Sequence, residues 1–255
     1  MLSWNILKRA VTLIVDNLGA ALRLTAVPYG LLAVVSIYFV GTVDLAQLAA
    51  FDPVANPDQV PDLPEGFWSA FLISGLVQLL VYLWIAVAWH RYVLLAEGSD
   101  GWVPPPQGGL MLGYLGRSIL LGLLILAIAV AISVLLVPVL PVLAPPIIAI
   151  LAIVVGYRLG LILPAGAIGA PMTMSEAWHA TKGHSGTVVL LAVMTWVISF
   201  LLQIPALLDG AGTGVAGTGV IGVVYGLVVG WMLLMLGVSV LSTLYGHFVE
   251  KRPLD

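Results

Sequence analysis

Long uninterrupted apolar runs dominate the chain, broken by short polar or proline-rich stretches. Six runs are near the ~20 residues a helix needs to cross ~30 Å of hydrocarbon: about 23–42, 68–90, 118–138, 145–165, 187–207 and 219–245. They are continuously apolar and do not alternate, which predicts helices and not the strands of a barrel. Between the third and fourth runs, VPVLPVLAPP carries Pro138, Pro141, Pro145 and Pro146. These prolines forbid a single unbroken helix and predict a tight turn between two spans. The predicted fold is all-α: a polytopic transmembrane bundle with about six spans as three hairpins, forming one integral membrane domain over residues 1–255.

Ahead of the first run, Leu2, Ile6, Leu7, Val11, Leu13, Ile14 and Leu18 fall largely on one helical face, with Lys8, Arg9 and Asp16 off it. That pattern predicts an N-terminal amphipathic surface helix over residues 1–20, lying in the membrane interface. The polar residues Trp4, Asn5, Lys8 and Arg9 precede any apolar core, which disfavours a signal peptide.

Composition agrees with a bilayer environment. Residues of the AVILMFWYC set make up 61% of the chain and charged residues 8%, against roughly 45–50% and ~25% in soluble domains. A net charge of −3 gives no reason to expect nucleic acid as a partner. The absence of cysteine removes disulfides, thiolate metal sites and cysteine nucleophiles.

Charge placement orients the chain. Lys8, Arg9 and Arg23 flank the first run, and Arg91 and Arg117 fall between the second and third. Arg158 and Lys182 bracket the end of the fourth, and Lys251 and Arg252 close the chain. The connections of opposite polarity carry Asp44, Asp52, Asp58, Asp62, Glu65 and Asp209, with no Lys or Arg. The positive-inside rule then places both termini in the cytoplasm of a multi-pass protein of a bacterial inner membrane.

In the stretch AWHRYVLLAEG, Trp89 and Tyr92 are expected at the headgroup belt and Arg91 at a cytoplasmic helix exit, with Gly98 ending the helix. Arg158 is the one ionisable residue well inside a run, and its long stem is expected to reach the headgroups. Thr173 and Glu176 have capping-box spacing and predict a short interfacial helix before the fifth run, with a stop at Gly183. Gly222, Gly226 and Gly230 recur every four residues and predict a close helix-packing face. Asn17-Leu18-Gly19-Ala20, Tyr114-Leu115-Gly116-Arg117 and His184-Ser185-Gly186-Thr187 raise an internal repeat of the three hairpins.

Catalytic and cofactor motifs fare poorly. GxGxxG at Gly212, Gly214 and Gly217 follows a membrane helix, not a strand, and no Lys follows it. Gly116-Arg117-Ser118-Ile119 lacks the last glycine of an intramembrane serine-protease motif. His90, His179, His184 and His247 lie near one edge without HExxH or i, i+4 spacing. No catalytic, metal or cofactor site is therefore expected. Ser74, Gln78, Ser133, Thr195, Ser199, Gln203, Ser239 and Ser242 are the polar residues available to join helices within the spans.

WHRYVLLAEG at 89–98, YRLGLILPA at 157–165 and SEAWHATKG at 175–183, behind an amphipathic N-terminal helix, resemble a set of bacterial six-helix inner-membrane proteins. These are related to the YciC type and to the membrane domain found ahead of some glycerophosphodiester phosphodiesterases. The family pattern corresponds to Arg91, to Arg158 with Leu161 and Pro164, and to Glu176, Ala177, Trp178, Thr181, Lys182 and Gly183. The resemblance implies an envelope role. Because no phosphodiesterase domain follows Asp255, no hydrolase activity is expected to carry over.

The expected function is non-enzymatic: binding membrane lipids, a protein partner or a second copy in envelope organisation. Arg91, Arg117, Arg158 and Lys182, with Glu97 and Glu176, are the candidate headgroup-binding or ion-pairing residues. The competing expectation is a transporter or flippase for an amphiphile or neutral solute, using Gln78, Gln203 and the serines.

Overall fold

The computed structural model describes residues 1–42, 63, 65–98, 101–213 and 220–254. The described chain is all helix and turn: α1 (Leu2–Val15), α2 (Leu18–Thr42), α3 (Phe67–Leu95), α4 (Gly108–Leu136), α5 (Ala144–Leu159), α6 (Ile162–Ala167), α7 (Met174–Ala180), α8 (Ser185–Thr213) and α9 (Val220–Phe248). Five of these contain segments long and apolar enough to cross a membrane: Leu18–Phe39, Phe67–Leu95, Gly108–Leu136, Ser185–Leu208 and Gly222–Phe248. The chain is by this measure a multi-pass membrane protein.

The fourth predicted run behaves differently from the other five. α5 has 16 residues, which rise ~24 Å, short of the ~30 Å hydrocarbon core. Pro164 has no N–H to offer the Gly160 carbonyl, which instead accepts from the Leu163 amide at 2.9 Å. The helix therefore breaks at Gly160-Leu161 and resumes as α6. Gly160 also sets the fit against α9, since a Cβ there would run into the Gly156 carbonyl and the Leu241 side chain.

α2 packs on α3, α4 on α5, and α8 on α9, while α9 also touches α1, α2, α3 and α6. The proline-rich turn joins α4 to α5 as expected, with Pro145 and Pro146 in the first turn of α5, where a missing N–H costs nothing. The core is concentrated at one end of the bundle. In α3 the buried residues run from Val81 to Leu94, and in α9 most lie beyond Met235. The other half of α3 is largely exposed, and that of α9 is mostly half-buried. In α4, the most apolar of the five candidate spans, only Tyr114 and Leu121 are buried. Apolar surface left bare on this scale suits lipid as its neighbour.

Several boundaries differ from expectation. α4 starts at Gly108, ten residues before the predicted 118, so Arg117 lies inside the helix and not in a connection. α2 starts at Leu18 and therefore includes Arg23. α3 ends at Ala96, which takes the left-handed conformation (φ 55°), two residues before Gly98.

α1 stops at Val15 instead of reaching residue 20, and it does not simply lie on lipid. Ser3, Ile6, Leu7 and Ala10 are buried at i, i+3, i+4 and i+7, and the helix packs on α8 and α9. Those helices offer it an apolar surface, whereas Val11 and Leu18, expected on the buried face, are exposed. The break after α1 is pinned at Asn17, whose Nδ2 donates to the Leu13 carbonyl at 3.0 Å while Tyr92 Oη donates to its Oδ1 at 2.8 Å.

Candidate functional site

The packed end of the bundle gathers nearly all of the polar chemistry. At its centre Trp89 and His90, both fully buried, face the Ser239 and Ser242 side of α9. Trp89 Nε1 donates to Ser239 Oγ at 2.8 Å. His90 Nδ1 lies 2.8 Å from Ser242 Oγ and Nε2 lies 3.3 Å from the Tyr114 hydroxyl. Ser242 spends its hydrogen on the Val238 carbonyl at 2.9 Å. The consistent pattern is then Tyr114 O–H to Nε2, and Nδ1–H to Ser242 Oγ, with the ring neutral. In that tautomer the nitrogen facing Ser242 carries a proton and cannot accept one, so the pair is a structural link between α3, α4 and α9 rather than a nucleophile and base.

This corrects one expectation. Trp89 does not face a headgroup belt, because it is fully buried and its indole meets Ser239. His90 is the centre of the buried network. Tyr92 stacks on Trp89 with ring centroids 5.3 Å apart. Adjacent Trp and His on α3, opposite serines three apart on α9, were the signal in the sequence, but it names no partner by itself.

The arginines fall into two groups. Arg91 holds Glu97 through Nε at 2.8 Å and Nη2 at 2.7 Å, and its Nη1 donates to the Ala167 carbonyl at 3.1 Å. It thus ties the end of α3 to the end of α6. Arg158 is turned into the protein. Only 7% exposed, its guanidinium lies 4.3 Å over the Trp178 ring and donates to Ser185 Oγ, joining α5 to α7 and α8. Among the described residues Arg91 and Arg158 share no carboxylate. Arg252 donates to the Val93 and Leu94 carbonyls at 3.2 and 2.6 Å, satisfying the end of α3, and Lys251 Nζ donates to the Phe248 carbonyl.

Lys8, Arg9, Arg23, Arg117 and Lys182 make up the second group: among the described residues their side chains have no hydrogen-bonded or ion-paired acceptor. Arg9 lines a cleft of about 210 Å³ with His247, Arg252 and Leu254. Lys8 and Arg9 line an adjoining one on the polar side of α1. Arg117 lies against Gly166 of α6, where a Cβ would stand 2.9 Å from its Cζ.

Glu176 serves α7. Its Oε2 accepts from the Thr173 amide at 2.7 Å, and Thr173 Oγ1 accepts from the Glu176 amide at 3.2 Å. This is the capping box expected from their spacing. The hydrogen bonds that its carboxylate accepts from the Thr173 amide and hydroxyl hold the Glu176 carboxyl below the usual carboxylate range.

Further along the bundle is an apolar cavity of about 430 Å³, open on one side, bounded by α4, α5, α6, α8 and α9 and lined among others by Leu121, Tyr157, Leu163, Thr195, Ser199 and Gly237. Its polar groups are already satisfied: Tyr157 Oη donates to Thr195 Oγ1, and Ser199 Oγ donates to the Thr195 carbonyl. Gln78 and Gln203 are elsewhere. Each is exposed and bonds within its own helix, to Tyr82 Oη and the Ser199 carbonyl.

Gly230 sits against α2, where a Cβ would lie 2.9 Å from Tyr29 Oη, whereas a Cβ at Gly226 meets nothing within 4 Å. The three-glycine stripe thus makes a close approach at Gly230 and not at Gly226. Of the repeat segments, Asn17 and His184 stand just before α2 and α8, but Tyr114 falls inside α4. The connection 43–62 and most of the GxGxxG segment lie outside the described residues. Among the described residues no three His, Asp or Glu gather as metal ligands. No protein-family model, curated protein sequence or solved structure matches the chain.

Proposed function

We propose that this chain is a non-enzymatic bacterial inner-membrane protein that binds anionic lipid headgroups at its packed end and so contributes to envelope organisation. In this reading α5 and α6 together form a sixth crossing, giving three hairpins with both termini in the cytoplasm. The positive-inside distribution of Lys and Arg supports that orientation. The resemblance of its 89–98, 157–165 and 175–183 segments to six-helix inner-membrane proteins points the same way.

One observation carries the lipid reading. The cations lie on segments that meet at the packed end, and Lys8, Arg9, Arg23, Arg117 and Lys182 have no acceptor in the described protein. A cytoplasmic leaflet rich in anionic lipid supplies the missing charge, worth ~1 kcal/mol per Lys or Arg near its surface. Arg91 and Arg158, the first candidates from the sequence, are occupied by protein groups and serve the fold.

The test is a comparison of lipids retained on purification. A variant with Lys8, Arg9, Arg23 and Lys182 all changed to Gln is expected to lose the preference for anionic over zwitterionic phospholipid. An unchanged lipid profile would remove the reading. The apolar cavity favours a second reading, a flippase or transporter for an amphiphile. Scrambling in reconstituted liposomes no faster than in empty ones would exclude it.

A further inference from the structure

The lipid reading above treats the cationic end as a surface. Two features of α4 and α6 define something more specific. Arg117 and Leu121 are four residues apart, and so stand on one face of α4, a helical turn from each other. Gly166 and Leu163 are three apart on α6. Arg117 rests on Gly166, while Leu121 and Leu163 line the 430 Å³ cavity. A guanidinium without an acceptor among the described residues is thus placed one turn from an apolar cavity that α4 and α6 line together with α5, α8 and α9.

Depth agrees with this placement. From Ser118 to the end of α4 at Leu136 the helix has no charge and rises about 28 Å, close to the hydrocarbon thickness. Arg117 accordingly lies at headgroup level and the cavity lies within the hydrocarbon. The cavity is open on one side, its lining is mostly apolar and its hydroxyls donate within the protein, so an acyl chain gains more contact there than water does. The surrounding bilayer supplies hydrocarbon.

We propose that the cavity bounded by α4, α5, α6, α8 and α9, together with Arg117 beside it, holds one anionic phospholipid of the surrounding bilayer, with an acyl chain in the cavity and its phosphate on Arg117. The reading rests on the anionic-lipid function above but assigns it to one site. Gly166 has the shape this requires, because a Cβ there would displace the guanidinium. Gly237 is the matching handle on the chain side: it lines the cavity, and a Cβ at this position meets nothing within 4 Å. A larger side chain at 237 therefore fills the chamber without a backbone clash.

The experiment reconstitutes delipidated protein in vesicles of equal parts phosphatidylglycerol and phosphatidylcholine, re-extracts it in mild detergent, and counts bound lipid by native mass spectrometry. Wild type is expected to retain one phosphatidylglycerol per chain. Arg117→Gln should reduce that retention about tenfold or more, the loss of one charge-assisted contact. Gly237→Leu should reduce it to a similar degree while leaving the helical circular dichroism and elution volume unchanged. The variant with Lys8, Arg9, Arg23 and Lys182 changed to Gln should keep the single lipid even as its broader anionic preference falls.

If Arg117→Gln or Gly237→Leu retains the lipid, the site is wrong even though the general reading stands. The site is also wrong if wild type holds phosphatidylcholine equally well or retains no lipid. Loss of the single lipid in the four-site variant would show that retention belongs to the diffuse surface and overturn the proposal.

Discussion

Replacing His90 by Phe tests the buried network most sharply. An aromatic ring is kept, although phenyl is somewhat larger than the imidazole it replaces in this fully buried position, and both ring nitrogens are lost. Ser242 keeps its bond to the Val238 carbonyl, whereas the Tyr114 hydroxyl loses its acceptor. Interhelical hydrogen bonds in membrane proteins are worth ~0.6 kcal/mol on average and at most ~1.7. A buried hydroxyl left unpaired costs about 1–3 kcal/mol. His90→Phe should therefore destabilise by about 2–4 kcal/mol. Adding Tyr114→Phe removes the orphaned hydroxyl, so the double variant should recover ~1 kcal/mol of that loss. The 2.8 Å contact to Ser242 is shorter than the 3.3 Å contact to Tyr114, so His90 should couple more strongly to Ser242 than to Tyr114 before the orphan is counted. Unfolding in mixed micelles with rising dodecyl sulfate, followed by tryptophan fluorescence, gives each free energy. A neutral His90→Phe, or strictly additive singles, would refute the network.

Trp178→Ala should cost about 1–2 kcal/mol in the same assay by leaving the Arg158 guanidinium without its aromatic face, and Trp178→Phe should cost less. Arg158→Lys should not behave as a conservative change, because an ammonium lacks the planar surface that stacks on the ring; equal stability of Arg158→Lys and wild type would contradict this. Glu176 provides the pH prediction. Its folded carboxyl titrates below the ordinary value, so its contribution to α7 is complete above the usual carboxylate range and is lost as pH falls through the depressed value. Amide exchange across α7, corrected for intrinsic rates, should rise on acidification in wild type and show no such transition in Glu176→Gln; identical profiles would refute it.

Membership in the membrane class, the proline turn and the capping box were legible because each rests on a local rule: run length, a missing N–H, a three-residue spacing. Helix rotation was not. When every position of a span is apolar, no periodicity distinguishes the face toward protein from the face toward lipid, so Trp89 reads as a belt residue until Ser239 is found beside it. Helix ends were obscured for the opposite reason. Residues 108–117 carry glycines and an arginine but continue the helix of the apolar run behind them. The arginines were legible only as alternatives, headgroup binding or ion pairing, because sequence shows a charge but not its acceptor. Arg91 forms the ion pair with Glu97, the Ala167 carbonyl, Trp178 and Ser185 engage the rest of Arg91 and Arg158, and the unengaged cations are elsewhere.

The absence of cysteine makes single-cysteine labelling the most direct test of the orientation on which the functional reading depends. Gln107 stands at the start of α4, at the packed end, and Val142, 84% exposed, lies in the proline turn. With Gln107→Cys and Val142→Cys in intact cells, a membrane-impermeant maleimide is predicted to label residue 142 and to reach residue 107 only after lysis. Labelling of residue 107 from outside, or protection of both until lysis, would contradict a cytoplasmic cationic end and the crossings that follow it.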